Sequence, residues 1–390
     1  MNASIYQSRT LRHVSLALRR DCHNGCSRFV LATRAIRVST RSICKFTGIA
    51  ANRGRGSIVT SDPCSFVRTS AQFIISQAKH VTVDSKDAIT AAAKKLQADH
   101  IHTVSWDDAG WHYADDASSG GPMTAQYVLV LDALNWCFWP SSTSMEYEQL
   151  AVGITNALRK DVHSLDADRL TAITGSELAT WFAPHDFPDA EQRAGKLREV
   201  GAVLCRDFQG QAVHLVAAAK HSAVQLVALL VRHFPGFRDE TTYAGVQVAF
   251  YKRAQIATAD MWAAYGQLKC SKEAAGSTSA APFSFYDMDA LTMFADYRVP
   301  QILRAMGVLT YSAALAAKVD SKAELPAGGE EEVEIRAATV EAVERLREAL
   351  QGSSPPVQLS SVEIDWWLWQ RGEEQKDKLA PHHKVLTSFY

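Results

Sequence analysis

A chain of 390 residues, 47% hydrophobic and 21% charged, has the composition of a soluble globular protein of one large domain or two ordinary ones. No stretch approaches the ~20 uninterrupted apolar residues of a membrane span, so no membrane partner is expected. The net charge of −1 averages two unlike regions, because Met1–Ser61 carries eleven Lys and Arg against one acid, Asp21, and leaves 30 bases and 41 acids for the rest. So acidic a body argues against a protein held by nucleic-acid phosphates, which calls for a basic face.

Residues 1–62 read as a leader outside the fold, with the domain proper over 63–390. The leader is Arg-rich, Ser-rich and acid-poor, as organellar transit peptides are. Arg9, Arg12, Arg19 and Arg20 alternate with Leu11, Val14, Leu16 and Leu18, which suits a basic amphipathic helix. Delivery to an organelle such as the mitochondrion is the expectation; a disordered extension of a cytoplasmic protein is the alternative. Seven cysteines include no C-x-x-C pair, and three of them (Cys22, Cys26, Cys44) lie in the leader. Cys64, Cys137, Cys205 and Cys270 are expected as buried free thiols, not a disulfide frame or zinc site. The histidines are scattered, and the adjacent His382 and His383 do not share a helix face, so no metal site is expected.

In the body, helical spacing comes first at Ile89, Ala92, Ala93 and Leu96, then at Tyr147, Leu150, Ala151, Ile154 and Leu158. Tyr127–Leu131 (YVLVL) reads as a strand, and Ala212–Val216 as a short one. Ser222–Phe234 is apolar almost all round and predicts a buried helix ending at Pro235–Gly236. Val333, Ala337, Val340, Val343 and Leu350 predict a further helix with charges on its opposite face. Breaks are expected at Ala117–Pro122, Lys272–Ser284 and Ser321–Glu330. The fold class is mainly α with a few short β-strands, in a single globular domain.

Four segments suggest chemistry. Val128–Pro140 runs from apolar residues into Trp136, Phe138 and Trp139 around Asp132 and Asn135. Aromatics are mostly core, but polar groups among them need hydrogen bonds and could read the edge of a flat heterocycle. Phe250–Trp262 carries one stripe of Phe250, Ala254, Ala257 and Met261. An opposite stripe of Lys252, Ile256, Ala259 and Ala263 is apolar except for its lysine. Such a helix is buried, so Lys252 either snorkels to water or sits in a polar pocket, binding an anion or tuning a carboxylate. Leu291–Leu303 (LTMFADYRVPQIL) places Asp296, Tyr297 and Arg298 consecutively at a helix start. There a carboxylate serves as a cap, or as an ionised catalytic group whose pKa the helix start should depress. The closing HHKVLTSFY ends in an aromatic pair that is expected to dock, bringing His383 and Lys384 to the same cleft.

Taken together these segments resemble the queuosine salvage protein family, the queuosine 5′-phosphate N-glycosylase/hydrolases. The matching stretches are SFVRTSAQFI from Ser65, LDALNWCFWP from Leu131, FPGFRDETTYAG from Phe234 and FYKRAQIATADMW from Phe250. LTMFADYRVPQIL, EVEIRAATVEAVE from Glu332 and IDWWLW from Ile364 complete them, in order across most of Ser65–Tyr390. The sequence departs from the family pattern at Trp136, where Phe is expected, and at the HHK run from His382, where an HR-type pair is usual.

The resemblance implies hydrolysis of queuosine 5′-monophosphate to queuine and ribose 5-phosphate, salvaging queuine for tRNA modification. It also implies a fold similar to helix-hairpin-helix DNA glycosylases, with no cofactor. It places Asp296 as the catalytic residue, stabilising an oxocarbenium-like sugar or activating water. A 7-deazapurine has carbon where purines have N7, so protonation there cannot expel the base. Asp132 or Asp260 is a candidate for the cyclopentenyl amine, and Lys252, Arg298 and Arg253 for the phosphate. Asn135, Phe138, Tyr297 and His383 complete the expected substrate contacts. A small-molecule nucleotide is the expected partner, without a stable nucleic-acid complex. On residues alone two other readings stay open: a nucleic-acid-binding glycosylase-like protein, and a non-enzymatic helical scaffold in which Asp296 merely caps a helix.

Overall fold

The chain enters the fold at Asp62, whose Oδ1 accepts the N–H groups of Cys64 and Ser65 and so caps α1 (Pro63–Ile75), with Pro63 at its first position. The computed structural model describes residues 62–390 except 85, 100–105, 108, 116–120, 141–144, 273–274 and 276–282. The transit-like leader therefore lies outside the described residues, Asp62 excepted, as do most of the breaks expected at Ala117–Pro122 and Lys272–Ser284. No helix among the described residues is long and apolar enough to cross a membrane.

After α1 come β1 (Val81–Val83), α2 (Asp87–Ala98), α3 (Pro122–Leu134) and α4 (Tyr147–Lys160), then the short α5 (Ala167–Leu170) and α6 (Gly175–Ala179). The long α7 (Ala190–Asp207) leads to α8 (Ala212–Ala218) and α9 (Ala223–His233). Strands β2 (Glu240–Tyr243) and β3 (Val246–Ala249) precede α10 (Lys252–Ala264) and α11 (Arg298–Ala305). The chain closes with β4 (Leu309–Tyr311), α12 (Ala313–Asp320), α13 (Glu330–Gln351) and α14 (Ser361–Gln375). The architecture is mainly helical. β1 and β4 pair antiparallel, with Thr82 opposite Thr310. β2 and β3 form a hairpin through Ala244–Gly245, both at positive φ (48° and 79°), as a tight two-residue turn requires.

Helices at 87–98, 147–160 and 330–351 follow the apolar spacing, but the strands expected at Tyr127–Leu131 and Ala212–Val216 are helical. YVLVL is the middle of α3, which is buried on every side from Thr124 to Leu134. A short apolar run fits a core helix as well as a strand; here Pro122 opens a thirteen-residue helix, too long for the strand reading. The polar groups of α3 are satisfied sideways: Gln126 donates to the Leu165 carbonyl and accepts the Ala212 N–H that opens α8. α9 is capped by Ser222 and ends at Phe234, before Pro235. Only its Ala223, Leu226, Val227 and Leu230 side is fully buried, so it is less enclosed than its composition suggests.

α13 is the central helix, packed on α1, α2 and α14. Its early charges are not on a solvent face: Glu332, Glu334 and Arg336 are all buried. Glu334 accepts the N–H groups of Lys79, His80 and Val81 and the Tyr243 hydroxyl, so its charge is offset by four donors. Of the described thiols, Cys64 and Cys137 are buried, Cys205 is exposed and Cys270 half-buried, which corrects the expectation for the last two. One close approach fixes a residue type: a Cβ on Gly201 of α7 would sit 2.4 Å from the Ala167 carbonyl oxygen of α5. Gly201→Ala is expected to force α5 off α7, costing about 1–3 kcal/mol and lowering the thermal midpoint by several degrees; an unchanged melt would refute the contact.

Candidate active site

The end of α3, the start of α10, the run into α11 and the inner face of α14 converge on a cavity of about 500 Å³, within the range of small-ligand sites. The α3 end is stabilised by two buried arginines. Arg193 donates to the carbonyls of Leu134 (2.6 Å), Trp136 (2.7 Å) and Cys137 (2.9 Å) and stacks on the Trp136 ring at 3.9 Å. Arg253 donates to the Ala133 carbonyl at 2.6 Å, to that of Asp132 at 3.3 Å, and to Gly236. A helix end inside a protein leaves carbonyls without partners, and these guanidinium groups supply them.

α10 begins at Lys252, two residues later than the apolar stripe suggested, because Tyr251 adopts a left-handed backbone (φ 50°). Lys252, Ile256, Asp260 and Ala263 line the cavity along one helix face. Lys252 is 5% exposed and its Nζ donates to the Asn135 carbonyl at 3.3 Å. The polar pocket, not snorkelling, therefore describes this lysine. Burial lowers its pKa, and the charges of Asp296, Asp132 and Asp365 oppose that shift.

The segment leading into α11 has no regular structure and is held residue by residue. Arg68 donates to the carbonyls of Ala290 and Leu291, Gln255 exchanges bonds with Thr292, and Asp365 accepts the Phe294 N–H at 3.0 Å. Asp296 then caps α11, its Oδ1 accepting the N–H groups of Arg298 (3.0 Å) and Val299 (2.9 Å). Among the described residues nothing bonds Oδ2, and Asp296 lines the cavity. The cap is real, but the pKa is nevertheless raised. Burial raises it, and the Lys252 charge and then the capping amides only partly offset that. The cation, more than the helix start, favours the ionised form.

Asn135, Phe138, Lys252, Asp260, Asp296, Tyr297 and Arg298 all line this cavity. Asp132, Arg253 and His383 do not. Asp132 lies wholly buried behind Asn135, whose amide donates to its Oδ1 at 3.3 Å. Arg253 is committed to carbonyls, as above. His383 is buried beneath the docked tail, 3.3 Å from the Tyr390 hydroxyl, and burial lowers its pKa to about 3, so it is neutral. Tyr390, not His383, reaches the cavity. Lys384 instead stacks over Trp139 at 4.9 Å. Arg298 lines the mouth with its guanidinium bound to Glu373 (2.6 Å) and Gln301 (2.6 Å).

Sequence reasoning missed several lining residues. Asp365, Trp366 and Trp369 come from the IDWWLW helix, where a carboxylate among aromatics was the available signal. Trp106 stacks on His112 with centroids 4.2 Å apart, and His112 bridges Asp107 and the Tyr147 hydroxyl, each at 3.0 Å. Burial holds the pKa values of Asp260 and Asp365 well above the carboxylate range, with Asp132 and Asp296 respectively adding to the shift. The cavity thus offers aromatic walls, a lysine at one end and several carboxylates.

Burial raises the pKa of Asp132 to about 7, against Lys252, Asn135 and Arg253, and its Oδ2 has no partner. A raised native pKa means that stability is lost as pH rises from the unfolded value through the native one. Asp132→Asn should therefore raise the thermal midpoint substantially at pH 8 and by a smaller amount at pH 5, where only part of that loss has occurred. An equal shift at both pH values would contradict the buried charge.

Residues 112–390 match the family model described as queuosine salvage protein. The chain is 40% identical to a queuosine 5′-phosphate N-glycosylase/hydrolase of Dictyostelium discoideum over 84% of this chain and all of that protein. It is 39% identical to the protein of that name from Sphaerobacter thermophilus, over 83% of this chain and 97% of the relative. This chain belongs to the queuosine salvage protein family. A mouse family member of the same name is 30% identical over 83% of this chain and 98% of its own length. The queuosine salvage match covers the cavity lining from His112 onward and leaves out Trp106, Ala109 and Trp111.

Proposed function

We propose that this cavity hydrolyses the N-glycosidic bond of queuosine 5′-monophosphate, releasing queuine and ribose 5-phosphate for queuine salvage. The observation that carries the reading is that Asp296 and Lys252 line one cavity with aromatic walls, in a chain whose relatives are named for this reaction. The C1′–N9 bond breaks with its electron pair leaving on the base, and positive charge spreads over C1′ and O4′ of the ribose. Asp296 Oδ2 faces that charge, and in a water-poor cavity a fixed carboxylate stabilises it strongly. A water adds its oxygen to C1′, and the net proton ends on the departed base.

With N7 replaced by carbon, that proton must enter elsewhere on the base. Asp260 and Asp365, whose pKa values burial raises well above the usual carboxylate range, are the proposed proton donors at the wall. Trp106, Trp136, Phe138 and Trp369 provide faces for the flat base. Lys252 is assigned to tuning Asp296, and Arg298 to the phosphate at the mouth, after exchange with Glu373. We further propose a fold like that of helix-hairpin-helix glycosylases, a domain that begins near residue 63, and a leader that directs the protein to an organelle.

Mass spectrometry of wild-type reactions tests the reading. Free queuine and ribose 5-phosphate in equal amounts are expected, and no release at high enzyme concentration would overturn it. We expect no stable nucleic-acid complex, since acidic residues outnumber basic ones in the body and phosphate binding calls for basic contacts; a gel shift on tRNA at physiological salt would contradict this.

A further inference from the structure

Behind the cavity, one buried ion pair touches both segments that deliver its functional groups. Arg336 of α13 donates to Asp239 through Nη1 (3.0 Å) and Nη2 (2.6 Å), and through Nε to the Ala295 carbonyl (3.1 Å), the residue before Asp296. Asp239 Oδ2 also accepts the N–H of Lys252 at 3.2 Å, and the Asp239 carbonyl accepts that of Phe250 at 3.0 Å. The guanidinium is sandwiched between the Phe250 and Tyr390 rings, 4.1 and 4.3 Å from their centroids. Both side chains of the pair are nearly inaccessible, at 3% and 5% exposure.

We propose that the Arg336–Asp239 pair sets Asp296 and Lys252 in register with each other, making Arg336 a positioning residue for glycosidic hydrolysis. This rests on Asp296 being the catalytic carboxylate. A guanidinium fork can hold both Asp239 oxygens and a third acceptor in one plane, which an ammonium cannot. Its three acceptors tie the peptide before Asp296 to the peptide that opens α10. The charge of Arg336 is matched by Asp239, with Glu332 at 3.6 Å, so it is not a spare cation for substrate. Tyr251, between Phe250 and Lys252, holds a left-handed backbone (φ 50°) that a bulky residue keeps only when its surroundings enforce it. The hydrogen bonds donated by the Phe250 and Lys252 N–H groups, both to Asp239, bracket that residue. The pair thus enforces the turn that aims Lys252 into the cavity, while its other end fixes the carbonyl beside Asp296.

The experiment compares kcat and KM for queuosine 5′-monophosphate in wild type, Arg336→Lys, Asp239→Asn, Asp296→Asn and the Arg336→Lys/Asp296→Asn double variant. Displacing reacting groups by an ångström costs about 10²-fold in rate. A kcat loss of about that size in Arg336→Lys, with KM changed less than about 3-fold, is therefore expected. In the Asp296→Asn background the same change should cost almost nothing, because coupled residues are not additive. Wild-type kcat in folded Arg336→Lys, or equal losses in both backgrounds, would overturn the proposal. Should Arg336→Lys fail to fold, the nearly isosteric Asp239→Asn carries the same expectation and is overturned by wild-type kcat. An active Asp296→Asn would remove the catalytic reading itself, whereas an inactive Asp296→Asn beside a fully active Arg336→Lys removes only this inference.

Discussion

Asp296→Asn should lower kcat for queuine release by about 10³-fold, the scale of a positioned group acting only in the transition state, while substrate affinity stays within a few-fold. Capping and catalysis draw on different atoms of this side chain. Oδ1 accepts the N–H groups of Arg298 and Val299, and an asparagine oxygen caps a helix as well as a carboxylate does. The variant therefore keeps the start of α11 and removes the negative charge proposed to face the sugar. Circular dichroism and thermal melting should match the wild type. Turnover near the wild-type rate would reduce Asp296 to a helix cap.

Lys252→Met is expected to have the second largest effect, about 10²-fold in kcat/KM at pH 7, on the scale seen when one positioned group is lost. Its character distinguishes two roles. Lys252 is the largest influence lowering the Asp296 pKa, against the burial that raises it. Removing it raises that pKa further, so less of the enzyme carries the carboxylate at a given pH. The acid limb of the kcat/KM profile should move to higher pH, with part of the activity recovered there. Methionine keeps the length of the stem, so loss of packing is limited. An unmoved acid limb, with the loss confined to KM for the phosphorylated substrate, would instead assign Lys252 to the phosphate.

Much of the helical framework can be read from apolar spacing, as at Ile89–Leu96, Tyr147–Leu158 and Val333–Leu350. Where a helix is buried on all sides the spacing disappears. That is why the middle of α3 reads as a strand and why the seven-residue α8 carries too little periodicity to be distinguished. Charges mislead for a related reason. Glu332, Glu334 and Arg336 look like a solvent face, yet their partners come from Gly328, from the 79–81 amides and from Asp239, contacts that only the folded chain reveals.

Asp296 and Lys252 were legible as odd residues in apolar settings. Their shared cavity was not, because 44 positions of sequence separate them. Asp365 was harder still, being one of four acids in a tryptophan-rich helix whose inner face sequence alone cannot select. The pKa of Asp296 shows the limit of local reasoning. A helix start favours the charged form, but the depth of burial that outweighs it is a property of the whole fold.

The proposed mechanism requires Asp296 to face the ribosyl carbon during hydrolysis. A crystal structure of Asp296→Asn with queuosine 5′-monophosphate bound tests it most directly. Ribose C1′ is expected within about 4 Å of the residue-296 side chain, near the separation of reacting groups, with the base between the aromatic walls. Ribose bound at the far end of the cavity, with C1′ out of reach of that side chain, would contradict it.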